Sequence, residues 1–216
     1  TVTATRLGGS VEDVAGISAN LASNFGIGLD SAAGLSAQIL DTSKAIGLST
    51  DEAGNLFGVL MQTSNLSAEQ SERLAEGTFQ LARANQVNPA QVLRDIAGSS
   101  ETIALFTKGG ADNIAQAAVQ ARKFGISLDT SAKIAEGLLD FENSIAKEVE
   151  ASVLIGRQLN FQKAREAALD GDKVGVLKEV VKQLGSEEEF LKLNLIQRKA
   201  IADSVNMSVA DMSKLV

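Results

Sequence analysis

Any acid–base or nucleophilic chemistry in this chain must rest on carboxylates, lysines, arginines and the hydroxyls of serine and threonine, because its 216 residues include no histidine, cysteine, tyrosine or tryptophan. The usual general base, the commonest metal ligand, thiolate nucleophiles and disulfides are therefore missing from the repertoire. The serines have no imidazole or thiolate to activate them and fall where helix caps are needed. A pair of carboxylates working as acid and base is the one catalytic arrangement left open. It ranks last among the functional readings.

Three motifs invite chemistry and lose it on inspection. Gly26-Ile27-Gly28 lacks the third glycine of a phosphate loop and follows a helical pattern rather than a strand. Asp170-Gly171-Asp172-Lys173-Val174-Gly175 starts like a calcium loop, but Val174 and Val181 stand at its fifth and twelfth positions, where oxygen ligands belong. It reads as a turn plus an N-cap. Gln197–Met212 has the outline of a DNA-binding helix-turn-helix, yet the second helix, Val209–Val216, offers Lys214 alone as a base and no Arg, Asn or Gln to read base edges. A packing hairpin is the better reading. The net charge of −7 also opposes general phosphate attraction. No catalytic, cofactor-binding, metal-ligating or other binding residue is assigned from the sequence.

The elements that would position any site are helices. Ala and Leu dominate the apolar residues, and Pro89 is the single proline. One junction recurs: Gly or Asn, an apolar residue, Ser or Asn, then a new helix. It appears at Gly47-Leu48-Ser49, Asn65-Leu66-Ser67, Gly125-Ile126-Ser127 and Asn206-Met207-Ser208, and with a glutamine in first place at Gln86-Val87-Asn88. The first residue takes the left-handed conformation that closes a helix. Ser or Asn then caps the next one, with Glu52, Gln70 and Gln91 placed to complete capping boxes. Pro89 stands at the first helical position, where its missing N–H costs nothing. The apolar residue packs back onto the helix it precedes. Helical hairpins with very short connections follow.

One longer amphipathic helix is expected from about Thr130 to Arg157, with Ile134, Leu138, Phe141, Ile145, Val149 and Val153 on one face. Shorter helices are expected over Phe161–Leu169 and Lys173–Leu184, with another opening at Ser186. A degenerate repeat, offset by 99, relates Phe25–Ala33 to Phe124–Ala132, with Gly8-Gly9 and Gly109-Gly110 upstream and Leu40-Asp41 and Leu139-Asp140 downstream. The chain divides by composition into a Gly-, Ala- and Ser-rich unit, 1–108, with 17 charged residues, and a unit, 109–216, with 30. So sparsely charged a first half hints at contacts with other polypeptide. The longest uncharged stretches, Val14–Leu29 and Ala53–Ala68, fall short of the roughly 20 apolar residues that span a bilayer. The start, TVTATRLGG, lacks a secretory pattern, and the chain reads as a fragment of a longer protein.

The repeated junction, as in Ala45-Ile46-Gly47-Leu48-Ser49-Thr50-Asp51-Glu52-Ala53, resembles the tail length tape measure proteins of tailed bacteriophages. Asp140–Ala151, continued by Gly156-Arg157-Gln158-Leu159-Asn160 and Lys163-Ala164-Arg165, is similar to tape-measure-type proteins of large marine phages, as is Gln197–Met207 followed by Ser208. The resemblance covers residues 25–216. It implies a homo-oligomeric virion protein, assembled in the host cytoplasm, that fills the tail tube, sets its length and leaves with or ahead of the genome. Its partners would be tail tube and baseplate hub proteins, with no cofactor and no specific nucleic acid. A cluster of short helices rather than a rod would sit at a tube end. A non-viral helical scaffold or adaptor that binds protein partners is the alternative.

Overall fold

The computed structural model describes residues 10–63, 65–99 and 111–215, and among them thirteen α-helices and no β-strand. The chain forms two compact units, Thr1–Val119 and Gln120–Val216, with the boundary inside one helix. The compositional step at residue 108 and the Gly8-Gly9 and Gly109-Gly110 pairs lie outside the described residues. No described helix is long and apolar enough to cross a membrane.

Unit 1 contains α1 (Val11–Phe25), α2 (Leu29–Ile46), α3 (Thr50–Thr63), α4 (Ala68–Ala84), α5 (Pro89–Gly98) and most of α6 (Ala111–Lys123). α1 packs on α2 and α3, α3 on α5, and α4 on α5. Ile17, Leu21, Ile39, Leu40, Leu56, Phe57, Leu60, Leu93 and Ile96 form its apolar interior. Small and polar residues line the helix contacts. Ser18 and Ser36 share a hydrogen bond of 2.7 Å, and the Asn20 amide donates to Asn55 at 3.1 Å. Gly58 lies against the Phe25 ring so closely that any Cβ there would overlap it.

Unit 2 contains α7 (Leu128–Leu139), α8 (Phe141–Ile155), α9 (Gln162–Leu169), α10 (Lys173–Leu184), α11 (Glu187–Lys192), α12 (Leu195–Ser204) and α13 (Val209–Leu215). α8 packs on α12 and α7, α9 on α10 and α7, and α13 on α12. Ile126, Ile134, Leu138, Phe161, Leu177, Val180, Phe190, Ile201 and Met212 belong to one continuous core.

All five expected junctions form. Gly47, Asn65, Gln86, Gly125 and Asn206 have φ of +75°, +52°, +59°, +74° and +56°. The N–H groups of Leu48, Val87, Ile126 and Met207 reach back five residues to the carbonyls of Ser43, Ala82, Ala121 and Ala202 at 2.9–3.1 Å, which satisfies helix-end acceptors. Ser49 and Ser67 make reciprocal capping boxes with Glu52 and Gln70. At Asn88 the forward half of the box forms, from the Gln91 N–H at 3.3 Å, without the return bond from the Gln91 side chain.

The repeated stretches share this local geometry, with left-handed Gly26 and Gly125 and helix starts at Leu29 and Leu128. Their paths then part. α2 runs through Asp41 to Ile46, whereas the chain breaks at Asp140.

That break corrects the long helix expected from Thr130 to Arg157. Asp140, at φ −78° and ψ 79°, ends α7 and caps α8, accepting from the Asn143 backbone N–H at 3.4 Å. Its carboxylate also accepts from the Asn143 amide at 2.6 Å. An Asp side chain that serves backbone N–H groups competes with helix continuation. The longest described helix is α2, of 18 residues.

Gly58→Ala should destabilise unit 1 by about 1–3 kcal/mol through overpacking against Phe25. Gly77→Ala, at an exposed mid-helix position with open space for the methyl, should instead add about 1 kcal/mol. Urea titration followed by far-UV circular dichroism reads both signs.

Candidate functional site

Four apolar residues that the helical period places together, Phe141, Ile145, Val149 and Val153, are 43%, 49%, 57% and 76% exposed. The break at Asp140 explains why. Ile134 and Leu138, on the near side of it, are buried in the core, while the face that continues beyond it is turned outward. What α8 buries is mostly small or polar: Ser144 and Ala151 fully, with Glu148 and Ser152 half-buried, and at its end Ile155 packs against the core.

This inverted face is stable because each polar group on it is answered. Glu148 forms an ion pair with Arg165, whose side chain is 6% exposed against 15% for the glutamate. The same carboxylate accepts from the Phe161 N–H at 3.0 Å, and Arg165 also donates to the Ser144 hydroxyl at 3.2 Å. The Ser152 hydroxyl donates to the Glu148 carbonyl at 2.7 Å and accepts from the Leu159 N–H at 2.9 Å. The α8–α9 loop is thereby tied to α8. Arg157, donating to the Leu184 carbonyl at 3.2 Å, and Gln183, accepting from the Asn160 N–H at 3.2 Å, tie it to α10.

Between α8 and α9 this leaves an open groove of about 440 Å³, walled by Phe141, Ile145, Leu159 and Leu169, with Glu148 and Arg165 in its lining and Glu166 beside them. The groove and the exposed ridge form one surface. Sequence periodicity identifies the ridge residues as one apolar face but not what covers it. Glu148 and Arg165 carry no sequence signal of their pairing, because they meet across a loop rather than within one helix.

The motifs weighed for chemistry have structural duties. Gly171 is left-handed and Asp172 caps α10, accepting from the Gly175 N–H at 2.9 Å. In the Gln197–Met212 hairpin, Ile201, Ala202, Val205, Met207 and Met212 face the core, and Lys214 is engaged by Asp211 at 2.8 Å. The Asn206 amide donates to the Lys133 carbonyl at 3.1 Å and docks that hairpin on α7. A polar cleft of about 250 Å³ between α7, α8 and α12 is lined by Glu136, Asp140 and Asp203 among others. Asp140 is committed to its cap and Asp203 approaches Lys199 at 3.5 Å. Among the described residues no group of His, Cys, Asp or Glu side chains is arranged to hold a metal ion.

Lys173 is buried at the first position of α10. Burial pushes its amine down from the ordinary lysine range to about 8, against an opposing pull from Glu136. The positive end of the helix dipole is a further unfavourable place for a cation.

Arg165→Met should lower the stability of unit 2 by about 3–5 kcal/mol, since it leaves Glu148 sequestered without its partner. Urea denaturation measures it. For Lys173 the folded value lies below the unfolded one of about 10.4, so the cost is full below pH 8 and fades as pH rises between them. Stability should rise by about 2–3 kcal/mol from pH 8 to 10.5, a window free of Cys and Tyr titration. Lys173→Met should flatten that rise and exceed the parent in stability at pH 7. A parent whose stability relative to Lys173→Met does not rise across this window contradicts the assignment.

No protein-family model, no curated protein and no solved structure matches this chain.

Proposed function

We propose that this chain is a structural module of a virion tail, of the tape-measure type, that does no chemistry of its own and works by holding other polypeptides. The observation that carries the reading is the exposed ridge on α8. The protein presents outward a row of apolar residues at helical spacing, while it buries serine, alanine and an ion pair beneath. Contiguous exposed apolar surface of this kind marks interaction sites. Three of its four residues, Phe141, Ile145 and Val149, also lie in Asp140–Ala151, the stretch that resembles marine-phage tape-measure proteins.

Geometry favours a tube-end position over the ruler itself. An extended helix adds about 1.5 Å per residue, whereas a chain divided by turns into short packed helices gives up that proportionality. The net charge of −7 opposes retention on DNA, which suits a part that must let the genome pass. Tail tube and baseplate hub proteins are the proposed partners, with further copies of the chain alongside. A non-viral adaptor would use the same ridge.

Particle composition separates the two. Tailed particles purified from a culture carrying the parent gene should yield peptides of this chain by mass spectrometry. Gold-labelled antibody raised against the chain should decorate one end of the tail after gentle disruption. Particles with intact tails and no trace of the chain, while the cell lysate contains it, would remove the virion reading.

A further inference from the structure

We infer that the α8 ridge is a docking site for a cationic amphipathic helix of another polypeptide. The inference rests on reading unit 2 as an assembly module and adds the chemistry of what it holds.

Phe141, Ile145, Val149 and Val153 form one i, i+4 ridge about 18 Å long, at about 1.5 Å per residue. Such ridges seat in the grooves of a facing helix. Beside it runs the row Glu142, Ala146, Glu150, Leu154. Ala146 is its low point. With Glu142, Ile145 and Val149 it forms a four-residue hole of the kind that accepts a side chain from a packed helix, and Glu150 lies one turn on. All five residues are exposed, and neither carboxylate has an ion-pair partner among the described residues. On the other flank is the groove with Glu166 in its lining, where Arg165 is already neutralised by Glu148. An incoming helix therefore meets an apolar ridge with Glu142 and Glu150 along one side and Glu166, which accepts from the Gln162 amide at 3.2 Å, across the groove on the other, while Lys147 lines the cleft with Asp140 and Asp203.

That border selects the occupant. A lysine or arginine can lay its methylene stem over Ala146 and place its cation beside Glu142 or Glu150. A second copy of this chain fits poorly. Antiparallel pairing on the ridge opposes Glu142 and Glu150 of one copy to Glu150 and Glu142 of the other, and parallel pairing brings them toward the groove carboxylates. Anionic lipid is repelled for the same reason. A helix with an apolar stripe flanked by Lys or Arg is what the surface complements.

Fluorescence anisotropy with the whole chain tests this, using a labelled leucine–lysine amphipathic helical peptide and its leucine–glutamate counterpart near physiological salt. The lysine peptide should bind at least tenfold more tightly than the glutamate peptide. Ile145→Asp should weaken that binding at least tenfold although it adds negative charge, which separates docking from general attraction to an acidic protein. Should Ile145→Asp lose its helical dichroism, Val153→Asp, at the most exposed ridge position, takes its place. Glu142→Gln with Glu150→Gln should narrow the preference between the peptides. Equal binding of both peptides, or undiminished binding to the ridge variant, overturns the proposal. So does a dimer in sedimentation that the ridge variant breaks, because a second copy then covers the face. If the peptide test fails while the chain is present in tail particles, the cationic partner falls and the virion reading stands. Binding that survives the absence of the chain from particles has the opposite meaning.

Discussion

A carboxylate and a guanidinium taken out of water must stay together, because separating them leaves an uncompensated charge at a cost of several kcal/mol. Glu148 and Arg165 impose that constraint on unit 2. The pair sits under α8, and Ser144, the Phe161 N–H and the Ser152–Leu159 contact complete the satisfaction of the polar groups around it. Turning α8 by half a turn would bury the ridge, and it would also expose this network and abandon its bonds. The orientation with the apolar row outside is therefore held by hydrogen bonding and charge together with the packing of Ala151 and Ile155 against the core. An outward apolar row maintained in this way is available for a partner without unfolding anything.

The rest of unit 2 supports the same arrangement. Phe161 enters the core immediately after the loop that its own N–H pins to Glu148, so α9 is delivered onto α7 and α10 at a set position. Arg157 and Asn160 hold the loop to the end of α10. Desolvation of the Lys173 amine is a local cost in unit 2, and the Glu136 carboxylate offsets part of it.

Unit 1 follows a different economy. Its helices approach through serine, glycine, alanine and asparagine, with Ser18–Ser36 and Asn20–Asn55 bridging facing surfaces. The Gln38 amide donates to Glu72 at 2.5 Å and Thr42 to the same carboxylate at 3.3 Å, so a charged side chain is shared between α2 and α4. Sparse charge in this half thus reflects short-range polar contacts between closely packed helices as well as any surface covered by other polypeptide. The Asn20 oxygen and the Thr78 hydroxyl, buried without a partner, mark where that packing is least complete.

Where the helices stop and start was legible in the sequence, because capping is local chemistry within a few residues. Gly47, Asn65, Gly125 and Asn206 turn left-handed and Ser49, Ser67, Ser127 and Ser208 cap as their spacing requires. Even Gln86, a residue with no special tolerance for that conformation, adopts it where the Val87 N–H closes the helix onto the Ala82 carbonyl. The break at Asp140 was written in equally local terms, but the unbroken apolar period across it spoke louder. Which side of α8 faces inward was settled by tertiary structure alone. Periodicity defines a face without saying what lies against it, and the partners that chose the polar face, Phe161 and Arg165, stand 13 and 17 residues beyond Glu148.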